Sequence, residues 1–192
     1  MTVAGVLLAA GSSRRFGATD KLLAMLQGRP LVTHAAQAMC AFDPDVLIAV
    51  TTSPEVAALL PDFEIAAPPE EAPEQSDSLR AGISLAESRG ATRIVIALAD
   101  MPFVTADLLQ KVAGRCTATR ASAATDGQRT TPPACFPQSC FSDLRDLRGD
   151  RGAAALLRDL PPSALVDVPP ETLRDIDTPD LLRAAQSDVD RY

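Results

Sequence analysis

A glycine-containing loop rich in basic and hydroxyl side chains follows the first apolar stretch of the chain. Residues 3–9 are uniformly apolar, with the length and composition of a buried strand. The chain continues with Gly11, two serines, two arginines and Gly17, and Lys21 follows shortly after. Glycines let such a turn point several backbone N–H groups inward, and the basic and hydroxyl side chains add further donors for an anion. This combination predicts a cradle for a triphosphate.

The loop differs from two other phosphate-binding motifs. The Walker loop has a lysine directly after its second glycine, whereas Gly17 is followed by Ala18. The dinucleotide fingerprint G-x-G-x-x-G is also missing from this stretch. Taken alone, the loop fits an ordinary strand-to-helix turn with exposed arginines equally well. Its function therefore depends on the residues that the rest of the chain brings to it.

Strand-like and helix-like segments alternate along the 192 residues. Residues 93–99 are apolar on both alternations, which predicts a strand at the centre of the sheet. Such alternation is typical of an α/β, Rossmann-like fold of three layers, with a mostly parallel central sheet covered on both faces. No repeat or linker divides the chain, so we expect a single domain over residues 1–192.

Several segments have weaker patterns. Residues 21–26 are predicted as a short strand or extended arm, and residues 152–160 as a helix. Between residues 119 and 136 the pattern supports only short strands, around residues 121–124 and 134–136.

Asp100 directly follows the predicted central strand. Ligands of parallel sheets bind beyond the carboxyl ends of the strands, so Asp100 and the glycine-containing loop should share one edge. The aspartate fits a turn ahead of Pro102, but it also fits a ligand for Mg²⁺, which accepts one or two carboxylates plus phosphate oxygens.

The composition of the chain excludes some classes of binding partner and indicates its cellular compartment. A formal net charge of −7 argues against nucleic acid and against an anionic membrane surface. We find neither a signal peptide nor an apolar run of membrane-spanning length. The four cysteines lack C-x-x-C spacing, which favours reduced thiols in a cytoplasmic protein.

Residues 8–17, followed by Lys21, resemble the L-A-[AG]-G-x-S-x-R-[MF]-G…K signature of the MobA/MocA-like nucleotidyltransferases, which include the molybdenum-cofactor enzymes. Asp100-Met101-Pro102 resembles the metal-site motif of this family, and residues 175–179 resemble its distal D-[IV]-[DN]-T-P motif. The resemblance implies that Asp100 and Asp177 hold Mg²⁺. It also implies a catalytic set of Arg14, Lys21 and Asp100.

The resemblance extends to the nucleotide, since residues 75–82 are similar to the segment that cradles the base and the ribose. A plain helix cap remains the alternative for this segment. Within the family, Ala-Gly at the positions of Ala10-Gly11 goes with cytosine and Gly-Gly with guanine, which implies CTP. The implied nucleotide-binding residues are Leu8, Ala9, Ala10, Gly11, Ser12, Ser13, Arg14, Lys21, Ser76, Ser78 and Gly82.

Residues 149–153 resemble the G-D-x-G-A-R segment beside the acceptor, but Ala154 stands where the family usually has arginine. The resemblance is strongest to the cytidylyltransferases. It implies transfer of CMP from CTP to the phosphate of the molybdopterin cofactor, with release of pyrophosphate, and a molybdoenzyme apoprotein or its chaperone as partner. Two alternatives remain: another acceptor, such as a sugar phosphate or methylerythritol phosphate, or a non-catalytic chaperone that binds the cofactor.

Overall fold

The computed structural model describes residues 1–11, 16, 20–68, 74–149 and 152–189. Within them, seven strands form the main sheet and two form a small hairpin. The strands are β1 (Val3–Leu8), β2 (Met25–Leu26), β3 (Arg29–Pro30), β4 (Val46–Val50), β5 (Glu64–Ala66), β6 (Arg93–Leu98), β7 (Ser122–Thr125), β8 (Thr130–Pro137) and β9 (Leu165–Asp167). The helices are α1 (Leu31–Phe42), α2 (Pro54–Ala58), α3 (Gln75–Ser88), α4 (Ala106–Arg115), α5 (Phe141–Asp146) and α6 (Pro179–Val189).

The main sheet is mostly parallel, as predicted, in the order β5-β4-β1-β6-β8-β7-β9. Strand β1 pairs in parallel with β4 on one side and with β6 on the other. Strand β8 is antiparallel to both β6 and β7, and β9 returns to the parallel direction. The carboxyl ends of β1, β6, β7 and β9 and the start of β8 therefore meet at one edge, which we call the site edge.

Two apolar clusters cover the faces of the sheet. Side chains alternate along a strand, so Val95 of β6 faces the cluster under α1 and α4, and Ile96 faces the cluster under α3 and α5. Both residues are fully buried. This two-sided burial explains why the β6 sequence is apolar at every position after Arg93, and it confirms the predicted three-layer α/β architecture.

Strand β8 is longer than predicted because it continues through two prolines. The pairing with β7 shifts from Ala134 to Thr131, so that Pro132 and Pro133 lie at an irregularity of the ladder. Proline has no N–H to donate, and a bulge is one of the places where a strand tolerates it. The hydrophobic pattern is interrupted there, but the strand is not.

Two segments differ from their predicted structure. Residues 21–26 divide into a 3₁₀ turn, Lys21–Leu23, and strand β2, because the Asp20 carboxylate accepts a hydrogen bond from Leu22 N and caps the turn. The predicted helix over residues 152–160 is wrong: only Ala153–Leu156 is helical, as a 3₁₀ turn. A segment this short gains few α-helical bonds, and Pro161 and Pro162 follow it.

No helix within the described ranges is both long and apolar enough to cross a membrane.

Candidate active site

The side chains of Lys21, Asp100 and Asp177 meet at the site edge. The Lys21 ammonium donates to Asp100 Oδ2 at 2.6 Å and to Asp177 Oδ1 at 2.5 Å. These residues lie 79 and 156 positions apart from Lys21 in sequence, so the fold alone brings them together. Lys21 is only 7% exposed, which is rare for a lysine and requires anionic partners.

The 3₁₀ turn fixes where the Lys21 side chain starts. The Asp20 carboxylate caps the turn at Leu22 N, and the Leu22 side chain is buried in the core beneath it. Ala24, the first residue after the turn, donates from its N–H to the Lys21 carbonyl. The backbone of Lys21 is therefore held firmly, and its long side chain alone spans the distance to the carboxylates.

The backbone of Asp100 fixes the segment that carries Asp177. Asp100 follows β6, and Ala99 N donates to Leu8 O of β1, which ties the two strand ends together. The Asp100 carbonyl in turn accepts from Ile176 N, and the Ile176 side chain is fully buried. As a result, Asp177 lies beside Asp100 although it belongs to a loop before α6.

Charge and burial oppose one another in this cluster. Burial disfavours the Lys21 ammonium, but the contacts with Asp100 and Asp177 outweigh this and raise the pKa of Lys21 above its ordinary value. For the Asp100 carboxyl group, burial raises the pKa, and the nearby Lys21 ammonium offsets only part of that effect. Lys21 is therefore charged at neutral pH.

The two carboxylates suit a divalent cation shared with a phosphate ligand. No group of three or more His, Cys, Asp or Glu side chains in the described part of the chain could hold a metal ion alone. Mg²⁺, however, typically binds one or two carboxylates plus substrate phosphates and water. Asp100 Oδ1 is buried and lacks a hydrogen-bond partner among the described residues, so a cation would satisfy it. Asp100 and Asp177 therefore fit the metal.

Part of the predicted nucleotide site lies within the described residues. Leu8 ends β1 at the site edge and Ala9 and Ala10 follow it, and a Cβ at the exposed Gly11 would meet no atom of the described residues within 4 Å. Ala9 N donates to Val50 O, which fixes the chain as it leaves the sheet. Open space beside a strand end is compatible with a ligand-binding loop. Ser12, Ser13 and Arg14 lie outside the described residues.

Helix α3 contributes Ser76, Ser78 and Gly82. Both serines are buried, and Ser76 Oγ has no hydrogen-bond partner among the described residues. Gly82 faces the sheet: a Cβ there would lie 2.8 Å from Val6 Cγ1 and 2.9 Å from Val50 Cγ2. Close packing of α3 on the sheet therefore accounts for this glycine. The binding roles of these three residues stay predictions.

A cavity of about 520 Å³ lies next to the start of α3. One wall is formed by the segment that contains Ala154, and the opposite wall by the turn between β7 and β8. Its lining residues are Gln75, Gln128, Arg129, Thr130, Gly152, Ala154, Ala155 and Arg158. Among the described residues the lining contains two arginines and no carboxylate, in a protein whose net charge is −7. The cavity is thus suited to an anionic group.

The two arginines differ in how they are held. Arg129 contacts Asp126 and Asp175 at 3.5 and 3.4 Å, and it donates to the Leu173 carbonyl. It therefore links the cavity wall to the segment that leads to Asp177. Arg158 is exposed and has no ion pair or side-chain hydrogen bond with the described residues.

Neither arginine was predicted as a site residue from sequence. The Asp126-Gly127 dipeptide is a hairpin signal that could have placed Arg129 at the site edge. Arg158 lies four residues after Ala154, but the sequence offers no comparable signal for its role.

Comparison with known proteins assigns the family. The MobA-like NTP transferase domain matches residues 5–165, which include the second part of β1, Lys21 and Asp100. The chain belongs to the MobA-like NTP transferase family. The predicted resemblance to the MobA/MocA-like nucleotidyltransferases is thereby confirmed at the level of the family, and the chain is a nucleotidyltransferase of this family.

The relatives of this MobA-like protein carry several different names. The purine catabolism protein PucB of Bacillus subtilis (strain 168) is 32% identical over 95% of this chain and 97% of its own. A molybdenum cofactor guanylyltransferase of Cereibacter sphaeroides is 34% identical, over 58% of this chain and 57% of its own.

The solved structures include Rv0371c from Mycobacterium tuberculosis H37Rv, with a TM-score of 0.84, 26% identity and coverage of 97% of this chain and 99% of that one. The same protein is also known in complex with manganese, at a TM-score of 0.81 and 24% identity over 97% and 99% of the two chains.

Proposed function

We propose that this protein is a cytoplasmic, Mg²⁺-dependent cytidylyltransferase that transfers CMP from CTP to the phosphate of the molybdopterin cofactor and releases pyrophosphate. The observation that carries the proposal is the cluster of Lys21, Asp100 and Asp177 at the site edge, where β1 and β6 end. A buried ammonium next to two carboxylates suits a reaction whose substrates and products are all phosphates.

The residues of the chain act by position and charge. An oxygen of the acceptor phosphate attacks the α-phosphorus of CTP in line, and the bond to the bridging oxygen breaks as pyrophosphate leaves. Asp100 and Asp177 would hold the metal ion, which neutralises charge on the phosphate oxygens when bound. The Lys21 ammonium, together with Arg14, stabilises the negative charge that develops on the leaving group. No side-chain nucleophile is required.

Two features support cytosine as the base. Ala10 is half-buried against the cluster beneath α3, and we propose that its methyl group limits the space for a larger purine. Ser76 Oγ, buried without a partner among the described residues, leaves a hydroxyl available for a base edge. Discrimination by one methyl group is worth only about 1–3 kcal/mol.

The arginine-lined cavity supports an anionic acceptor. Ala154 contributes no charge to its wall, but Arg158 and Arg129 line the same space. We propose that these two arginines bind the acceptor phosphate in place of the missing family arginine. Because a sugar phosphate or methylerythritol phosphate also carries this group, the cavity is compatible with those acceptors as well.

The proposal is tested by measuring pyrophosphate release from each of the four nucleoside triphosphates with molybdopterin as acceptor and MgCl₂ present. We expect release from CTP only when molybdopterin is added, and none after chelation of the metal. Release with a sugar phosphate or methylerythritol phosphate instead would reassign the acceptor. No release under any condition, together with tight binding of molybdopterin, would favour the non-catalytic chaperone.

A further inference from the structure

The ammonium of Lys21 occupies the space that faces both proposed metal ligands. Its Nζ atom contacts one oxygen of Asp100 and one of Asp177 at 2.6 and 2.5 Å. At these distances each contact is a short, charge-assisted hydrogen bond. Because the ammonium lies between the carboxylates and is largely buried, it acts as their counter-ion in the free protein.

A divalent ion and the Lys21 ammonium would both be neutralised by the same two carboxylates, those of Asp100 and Asp177. The three side chains together carry two negative charges and one positive charge, so a divalent ion added beside Lys21 would give the cluster an excess of positive charge. The two cations would also repel each other across the carboxylates that they share. Asp100 Oδ1 is left for a metal ion, but the ion would bind more tightly if Lys21 moved away.

Lys21 is built so that its side chain can move while its backbone stays. The Asp20 cap and the buried Leu22 hold the 3₁₀ turn, but four rotatable bonds separate that turn from the ammonium. The turn begins ten residues after Gly11, at the end of the loop with the predicted triphosphate cradle. A bound triphosphate would thus offer the ammonium another anion close to its present position.

We infer that Lys21 closes the metal site of the free protein and opens it when a nucleoside triphosphate binds, so that the metal ion enters with the nucleotide and not before it. This inference rests on the proposed function in one respect, namely that Asp100 and Asp177 are the metal ligands. It goes beyond that function because it makes Lys21 the residue that couples binding of the metal ion to binding of the nucleotide. By linkage, metal and nucleotide then strengthen each other's binding equally.

The test is a titration of the full-length protein with Mn²⁺ alone, followed by the electron paramagnetic resonance signal of the free ion. We expect Lys21→Met to bind Mn²⁺ at least tenfold more tightly than the wild type, because methionine keeps most of the side-chain volume but not the charge. Lys111→Met is the matched control. Lys111 is the other of the two lysines and also pairs with an aspartate, but on the exposed face of α4, so its replacement should leave Mn²⁺ binding unchanged.

Lys21→Met lacks the counter-ion of the two carboxylates and could therefore be less stable than the wild type. The second readout is the change in melting temperature that Mn²⁺ causes, which compares each variant with and without the ion. A ligand stabilises the folded state according to its affinity, so Mn²⁺ should raise the melting temperature of Lys21→Met more than that of the wild type. Lys21→Gln should behave in the same way, whereas Lys21→Arg should bind Mn²⁺ as weakly as the wild type.

Two outcomes separate the inference from the proposed function. CTP binds Mn²⁺ by itself, so the binding by CTP alone is measured first and subtracted. If Lys21→Met and Lys21→Gln bind Mn²⁺ no more tightly than the wild type, while Asp100→Asn abolishes the protein-dependent Mn²⁺ binding in the presence of CTP, Lys21 does not close the site. If Asp100→Asn leaves that binding unchanged as well, the metal lies elsewhere and the proposed function loses its metal site.

Discussion

Replacement of Gly82 by alanine separates a packing role from a nucleotide-binding role. Gly82 lies in α3, on the side of the helix that touches β1 and β4. An added Cβ would come within 2.8 Å of Val6 Cγ1 and 2.9 Å of Val50 Cγ2. Both valines are buried on central strands, and β-branched side chains have few alternative rotamers, so neither methyl group can move away easily.

The expected loss of stability follows from two opposing effects. Alanine is favoured over glycine inside a helix by about 1 kcal/mol. Overpacking a filled core costs about 1–3 kcal/mol, and two contacts with stiff side chains place Gly82→Ala near the upper end of that range. The net change is then a loss of about 2 kcal/mol. For a protein of this length, that corresponds to a melting temperature lower by roughly 4–8 °C.

Thermal unfolding of Gly82→Ala and Gly114→Ala gives a matched measurement. Gly114 is also helical, in α4, but a Cβ there would meet no atom within 4 Å. Gly114→Ala should therefore raise the melting temperature by a few degrees, through its helix propensity of up to about 1 kcal/mol. The changes in melting temperature caused by the two substitutions should therefore have opposite signs. If Gly82→Ala is as stable as the wild type but binds CTP more weakly, the packing argument is refuted and Gly82 belongs to the nucleotide site.

Three further predictions concern activity. Asp100→Asn should lower turnover at least 100-fold, equivalent to about 3 kcal/mol of barrier, while circular dichroism shows an intact fold; normal turnover would remove Asp100 from the mechanism. Arg158→Ala should raise the KM for the acceptor about tenfold or more and leave the KM for CTP unchanged, because a charged hydrogen bond contributes about 1.5–3 kcal/mol; an effect on CTP alone would place Arg158 in the nucleotide site. The wild type should use CTP at least tenfold better than GTP, and Ala10→Gly should narrow that ratio; a wild-type preference for GTP would contradict the cytidylyl assignment.

The parts of the fold that carry a simple hydrophobic pattern could be predicted from sequence. Strand β1, and strand β6 after Arg93, are continuous apolar runs because they are buried on both faces, and the residues after them mark the site edge. The proximity of Asp177 to Asp100 came from the motif resemblance alone. The contact that establishes it, between Ile176 N and Asp100 O, joins segments that no local pattern connects.

The walls of the cavity could not be predicted from the sequence pattern, and the direction of β8 had only the Asp126-Gly127 signal. The chain reverses at a tight turn in which Asp126 accepts from Gln128 N and Arg129 N. The prolines of β8 lie at an irregularity of the ladder and interrupt the hydrophobic alternation, so the length of the strand was not evident. Arg158 reaches the site edge only because residues 153–156 form a 3₁₀ turn against the sheet. Such placements depend on tertiary packing rather than on local propensity.

The reversed direction of β8 gives the protein two separable halves at one edge. The proposed nucleotide side is built from the ends of buried parallel strands, where most substitutions would disturb the core. The proposed acceptor side includes the tip of the β7–β8 hairpin, where Gln128 and Arg129 are exposed and the Asp126 carboxylate closes the turn. Hairpin tips tolerate changes in sequence and length. If the proposed acceptor site is correct, substitutions in this one short turn could change the acceptor without disturbing the buried strands that carry the rest of the site.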